Sequence, residues 1–212
     1  MKSFVSLNLD TSILRQNLDE LDELLKSESH LKERDQIAPF FKERPHLCAA
    51  IGYGNNAVEL PNCWASELDL FGDFVCDAAS GDTEANAFTL IEFEDAREYS
   101  IFTKLEAGKS MKHWSNRFEH GSSQLVDWAW RLSEEKNSSA FRRIFGTNSP
   151  TIHLLLIVGR DADLVPDDLD RLRWRANNVA FGGYRMSCFT FDGILASIRR
   201  RLLLASQPSE VT

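Results

Sequence analysis

Apolar positions recur at spacings of three and four in the first part of the chain, then at spacings of two or in short unbroken runs. In "LDTSILRQNLDELDELLKS", Ile13, Leu14, Leu18, Leu21, Leu24 and Leu25 trace one stripe, which predicts an amphipathic helix with Asp10 or Thr11 as its N-cap. A second helix is expected from about Glu28 to Arg44, ended by Pro45, because the residue before a proline is pushed out of the α region. "GYGNNAVELPNC" is turn-rich. From residue 70 the pattern changes. "LFGDFVCDA" and "FTLIEFE" read as strands joined by a polar loop, "ASGDTEANA", short enough for an antiparallel hairpin. "SMKHWSNRFEHGSSQLVDWAWRLSEE" reads as a long helix with Gly121 inside it. "TIHLLLIVG" is a strand-length apolar run, as expected where both faces are covered. "PDDLDRLRWRANN" reads as a helix opened by Pro166, "RMSCFTF" as a strand, and "DGILASIRRRLLL" as a final helix capped by Asp192. The order β-β-α-β-α-β-α predicts an α/β sandwich around a mixed sheet. An N-terminal helical segment (1–45) precedes the main domain (46–205), and a frayed tail (206–212) follows it.

Composition adds limits. The 212 residues are 43% hydrophobic and 26% charged, the balance of an ordinary globular protein with one sizeable core. No run of 18 or more apolar residues occurs, and "MKSFVSLNLDTS" has no positive n-region followed by an apolar stretch. The chain is therefore expected in the cytoplasm and off the membrane. Cys48, Cys63, Cys76 and Cys188 are scattered without ligand spacing, so reduced thiols are expected rather than a zinc site. The net charge of −8 argues against indiscriminate nucleic-acid binding. It is unevenly spread: residues 1–106 hold 9 Lys/Arg against 21 Asp/Glu, and residues 107–212 hold 15 against 11. The arginine-bearing half offers phosphates a local landing surface.

Chemistry is suggested by the acids inside "FTLIEFEDA". Glu92 and Glu94 share one strand face, where two carboxylates repel and lose hydration unless water, a cation or a metal receives them. Asp73 opens the preceding strand, so three carboxylates on adjacent strands could surround one divalent ion. Asp77, four residues on, is the second-choice ligand, and Glu67 and Asp69 are read as a solvated loop. On the long helix, His113, Arg117, His120, Gln124, Asp127 and Arg131 recur as one polar stripe beside an apolar face. "EAGKSM" lacks the first glycine of a P-loop, which excludes triphosphate binding by that motif.

The segments "GDFVCD", "TLIEFEDA", "SIF" and "HGSSQLVDW" together resemble the core of the Shedu (SduA) nuclease-like domain, of the PD-(D/E)XK phosphodiesterase superfamily, over about residues 30 to 205. The resemblance implies a restriction-endonuclease-like mixed sheet flanked by helices. It also implies Mg²⁺- or Mn²⁺-dependent hydrolysis of double-stranded DNA in bacterial anti-phage defence, by a homo-oligomer that could need a partner protein for targeting. It places the motif's Asp on Asp73, its Glu on Glu92 and its helix Gln on Gln124. Glu94 stands where the motif has lysine; it is read as a further metal ligand or as the group that activates water, with Lys104 or Lys109 as a migrated ammonium. Arg117, His120, Arg173 and Arg175 are the expected DNA or phosphate contacts. The alternative is a catalytically inactive module of the same fold that binds DNA or protein.

Overall fold

The computed structural model describes residues 3–205; the expected frayed tail lies outside the described residues. In chain order the elements are β1 (Val5–Ser6), α1 (Thr11–Ser27), α2 (Ala38–Lys42), α3 (Pro45–Ile51), β2 (Cys63–Leu70), β3 (Phe74–Asp82) and β4 (Ala87–Phe93). They continue with α4 (Asn116–Glu135), α5 (Ser139–Phe145), β5 (Thr151–Ile157), α6 (Pro166–Asn178), β6 (Ala180–Phe181), β7 (Tyr184–Phe189) and α7 (Phe191–Ala205). The strands form one mixed sheet in the order β1-β2-β3-β4-β5-β7-β6. β2, β3 and β4 pair antiparallel, whereas β5 lies parallel to both β4 and β7. This is the expected α/β architecture, consistent with a nuclease-like fold.

Asp10 caps α1 as expected, accepting from the backbone N–H groups of Ser12 and Ile13. The second helix is shorter than the pattern suggests. Residues 28–32 are extended, Leu31 bridges to Ala96, and a π-helical turn, Glu33–Ile37, leads into α2. Pro45 opens α3 instead of closing its predecessor, since its missing N–H costs nothing at a first helical position. "LFGDFVCDA" is two strands: Phe71 and Gly72 both take positive φ, and the chain reverses there into β3. Glu67 and Asp69 consequently lie on β2 rather than in a loop, and "ASGD" completes β3. The long helix starts at Asn116, capped by Ser115, with residues 110–114 outside it. Thr190 rather than Asp192 caps α7, accepting from the Gly193 N–H, while Asp192 receives both Nε and Nη2 of Arg160.

Side chains of β4 and β5 alternate between two cores. Phe88, Leu90, Leu154 and Leu156 face Phe118, Leu125 and Trp128 of α4. Ile91, Phe93, Leu155 and Ile157 face Leu14, Leu18, Phe41 and Phe191 from α1, α2 and α7. Phe41 and Phe93 stack with ring centroids 4.3 Å apart. The N-terminal helices thus share a core with the central strands. Phe41→Ala is expected to lower unfolding free energy by about 3–5 kcal/mol. Chemical denaturation should follow a single transition for helix content and tryptophan fluorescence alike; an unchanged midpoint would separate the N-terminal segment from the sheet.

Candidate functional site

Glu92 is the last residue but one of β4, and Glu94 follows the strand, its N–H continuing the parallel ladder to the Ile157 carbonyl at 2.9 Å. By the alternation of the strand, both side chains turn to the face covered by α4. Both are buried, and Glu94 has no solvent exposure at all. Among the described residues, the hydrogen-bond partners of these two side chains all come from α4. Gln124 Nε2 donates to Glu92 Oε1 at 2.5 Å, His120 Nδ1 lies 2.7 Å from Glu94 Oε1, and Arg117 Nη1 lies 3.3 Å from Glu94 Oε2. The i, i+3 and i+7 spacing of Arg117, His120 and Gln124 puts them on one helical face. α4 can approach so closely because residue 121 is glycine: a Cβ there would stand 2.6 Å from Leu156 Cδ1 and 3.1 Å from Glu94 Cγ.

The β3 acid near Glu92 is Asp77, not Asp73. The β3–β4 register ends with Ala78 paired to Ile91, and Asp77, the next residue of β3, lies near enough to Glu92 for their charges to oppose each other. Asp77 Oδ2 accepts the Phe93 N–H at 2.8 Å. Asp73 sits in the exposed β2–β3 turn, paired with Arg131 Nε at 2.7 Å, four residues or about 13 Å further along the chain. Of the expected residues, the structure therefore brings together Glu92, Glu94 and Gln124, with Arg117 and His120, and leaves Asp73 outside.

Glu33, from the π-helical turn, joins the group. Its backbone N–H donates to Asp95 Oδ1 at 2.8 Å, and its carboxylate lies 3.5 Å from Arg117 Nη1. Arg117 is thus shared among Glu33, Glu94 and Asp95, the last through Nε at 3.3 Å. Neither Glu33 nor Asp95 stands out in the sequence. The usable signals were an acid just after the short apolar bridge residue Leu31 and a third acid in "EFEDA".

The electrostatics follow from crowding acids in a dry crevice. Desolvation first, then the neighbouring Asp77, Glu94 and Glu33 charges, push the Glu92 carboxyl well above the usual carboxylate range. Burial does the same to Asp77, helped by Glu33 and Glu94 and opposed by the Phe93 N–H. Burial and Glu94 likewise raise Glu33. Glu92 Oε2 is buried without a hydrogen-bond partner. Among the described residues no three His, Cys, Asp or Glu side chains stand as a ready coordination shell, since α4 occupies both oxygens of Glu94 and one of Glu92.

The remaining expected contacts are elsewhere. Arg173 is exposed and 3.4 Å from Asp170, whereas Arg175 pairs with Glu119 and lies over the Trp114 and Phe118 rings. His113 contributes its carbonyl to the Thr103 N–H before α4 begins. Lys104 and Lys109 lie in the exposed segment between β4 and α4 and make no ion pair among the described residues. All four cysteines are free thiols, as expected.

Because Glu92 and Asp77 hold protons more tightly folded than unfolded, the native state binds more protons above the unfolded carboxylate range near pH 4. Their contribution to stability therefore declines as pH rises through neutrality. Thermal melts in a metal chelator should show lower melting temperature at about pH 8 than at about pH 5.5, and Glu92→Gln should flatten that slope and raise stability at the upper end. A slope unchanged by the substitution would place its origin elsewhere.

Among the described residues no helix is long and apolar enough to cross a membrane, in keeping with the expected absence of a spanning segment. No curated protein matches the chain. The family model described as Shedu protein SduA, C-terminal, matches residues 30–195, a span that runs from the extended stretch before Glu33 through β4 and α4 to the first turn of α7. It covers every residue of the buried acid cluster, and the chain belongs to the Shedu protein SduA C-terminal family.

Proposed function

We propose that this chain is a metal-dependent deoxyribonuclease of the PD-(D/E)XK kind, acting in bacterial defence against phage. The observation that carries the reading is Glu92 Oε2, buried and unpartnered, with Asp77, Glu94 and Glu33 close enough to raise its carboxyl and Asp77 bound to the Phe93 N–H beside it. A protein leaves such an oxygen bare at a cost of about 1–3 kcal/mol or more, which a bound cation would recover. The donors are all carboxylate oxygens, the set suited to Mg²⁺ or Mn²⁺ rather than to a softer ion. Asp77 and the bare oxygen of Glu92 would hold the metal, while Glu94, already engaged by His120 and Arg117, and Glu33 would add charge from the outer side. A bound divalent ion would supply an acidified water and charge neutralisation at a phosphate.

The chain's own groups account for the rest. Gln124 fixes the orientation of Glu92 by donating to Oε1. His120 is paired through Nδ1 to Glu94, which leaves Nε2 on the solvent side to take a proton from water. Arg117 keeps Glu33 and Asp95 on the end of β4 and, being half exposed, presents a guanidinium to an incoming phosphate. The cation that the motif carries on the strand would here stand on α4. Family membership supports the defence role; a homo-oligomer acting on double-stranded DNA, with a partner protein for targeting, completes the reading proposed.

Plasmid nicking in Mg²⁺ or Mn²⁺ tests this. Asp77→Ala and Glu92→Ala should each reduce nicking by about a hundredfold or more, and His120→Ala by about 10²–10⁴, while Asp73→Ala stays near wild type. Wild-type protein that binds DNA but cuts with no divalent ion would establish the second reading, a binding module of the same fold. The observation favouring that alternative is that Arg117 and His120 already neutralise Glu94.

A further inference from the structure

Trp174 is the most exposed large apolar side chain among the described residues, with 67% of its surface open to water. It stands in a cleft of about 450 Å³ lined by Trp114, Arg171, Trp174, Arg175, Val179 and Phe181. The volume falls in the range of small-molecule sites, about 300–1,000 Å³. Arg171, Trp174 and Arg175 stand at i, i+3 and i+4 of α6, so one face of that helix forms a wall. Both guanidinium groups lie over the Trp114 ring, at 5.2 and 4.8 Å from its centroid, which fixes the α6 wall against the chain entering α4. Trp114 is itself held by Phe102 and Phe118, whose centroids each lie 4.4 Å from its own.

The cleft runs toward the acid cluster. A smaller hollow of about 240 Å³ shares Arg175, Val179 and Phe181 with it and reaches Leu156 on β5. Leu156 is the ladder partner of Glu92, about 4.8 Å away in the hydrogen-bonding direction. Only α4, about 10 Å across, separates the two features. Arg117, His120 and Gln124 on one flank of that helix hold the acids, and Phe118, Ser122 and Leu125 on the other line the hollow.

The charges around the cleft are matched with one exception. Asp168 is 2.6 Å from Lys112, Glu119 is 3.1 Å from Arg175 and Asp170 is 3.4 Å from Arg173. Arg171 meets no carboxylate among the described residues; its Nη1 donates to a neutral acceptor, the Lys112 carbonyl, at 2.9 Å. The Trp174 ring, in turn, meets no aromatic ring or guanidinium among the described residues. The cleft thus presents one uncommitted aromatic face and one uncompensated cation a helical turn apart, the complement of a base and its phosphate. An apolar helix laid there would bury the Arg171 charge without a partner.

We infer that this cleft receives an unpaired nucleotide of a DNA strand, its base stacked on Trp174 against Val179 and Phe181 and its phosphate on Arg171. The strand crosses α4 between the cleft and the acid cluster, and in this the inference rests on the nuclease reading. Stacking on a ring face is tolerant of sequence, because every base has such a face. The cleft therefore favours a single-stranded tail or gap over continuous duplex, where the base must first leave its stack.

Fluorescence anisotropy of the full chain in EDTA tests the inference without cleavage, using a labelled blunt duplex and the same duplex with a single-stranded tail. The tailed duplex should bind about tenfold or more tightly than the blunt one. Trp174→Ala should remove that advantage and leave the blunt duplex unaffected, and Trp174→Phe should restore most of it. Both variants should melt with the wild type, because the side chain is exposed. Arg171→Gln should weaken the tailed duplex and reduce the slope of log affinity against log salt by about 0.7, the share of one single-strand phosphate. Equal affinity for the two duplexes, or a tail preference that survives Trp174→Ala, overturns the inference. So does a Trp174→Ala protein that sediments differently while its DNA affinity holds, which gives the cleft to a second copy. Protein that binds the tail through Trp174 yet nicks with no divalent ion upholds the cleft and sinks the nuclease reading alone.

Discussion

Four carboxylates, Glu33, Asp77, Glu92 and Glu94, gathered where β3 begins and β4 ends repel one another and lose hydration. The structure around them is arranged to hold them there. An isolated charge in a medium of low dielectric is so costly that a buried acid either takes up a proton or acquires partners. Glu92 and Asp77 are pushed toward the first solution, and Glu94 adopts the second through His120 and Arg117. That division explains why α4 presents a polar stripe to a sheet face that is otherwise apolar. The seat of the helix is fixed separately: Ser115 caps its start, accepting from the Phe118 N–H while donating to the Ser100 carbonyl, which ties the first turn to the segment that follows β4.

The N-terminal segment is bound into the same arrangement from the opposite side. Leu31 and Ala96 exchange backbone hydrogen bonds, and Asp95 receives the Glu33 N–H while its other oxygen faces Arg97 and Arg117. Arg160 reaches the Leu25 carbonyl at the end of α1 and the Asp192 carboxylate at the start of α7. Segments far apart in the chain thus converge near the carboxyl ends of β4 and β5. In an open α/β sheet the strand ends are where loops leave a crevice, so this is the part of the fold best able to gather chemistry from several elements.

Strong periodicity made much of the architecture legible. The leucine stripe of α1, the apolar run of β5 and the β3–β4 hairpin follow from patterns that burial imposes directly on sequence. Glu92, Glu94 and Gln124 were legible because acids on an apolar strand and a polar stripe on an amphipathic helix are local anomalies. Asp73 was misplaced for a local reason too: Phe71 takes a positive φ that a bulky residue rarely adopts, so nothing but Gly72 announced the turn. Once the turn is fixed, Asp77 is the β3 acid that comes close to Glu92. Glu33 was illegible because its position depends on the π-helical turn and the Leu31–Ala96 bridge, contacts made across more than sixty residues of chain. The family match bears out the resemblance carried by the order of the motifs, which composition and periodicity do not supply.

Gly121 carries an implication for how this chain can diverge. Glycine is the smallest residue, so every coding change at this position adds atoms, and the first added carbon meets Leu156 and then Glu94. The tip of Leu156 can rotate aside for a methyl group, but Glu94 Cγ is tethered to a strand whose N–H is already committed. Variation there is one-directional: larger residues would wedge helix from sheet, admit water beside Glu94 and loosen the grip of Arg117 and His120. Surface positions on the same helix, such as Ser123 or Trp130, are under no such restriction. Within a helix of twenty residues, the tolerance for drift should therefore collapse at one site that bears no functional group at all.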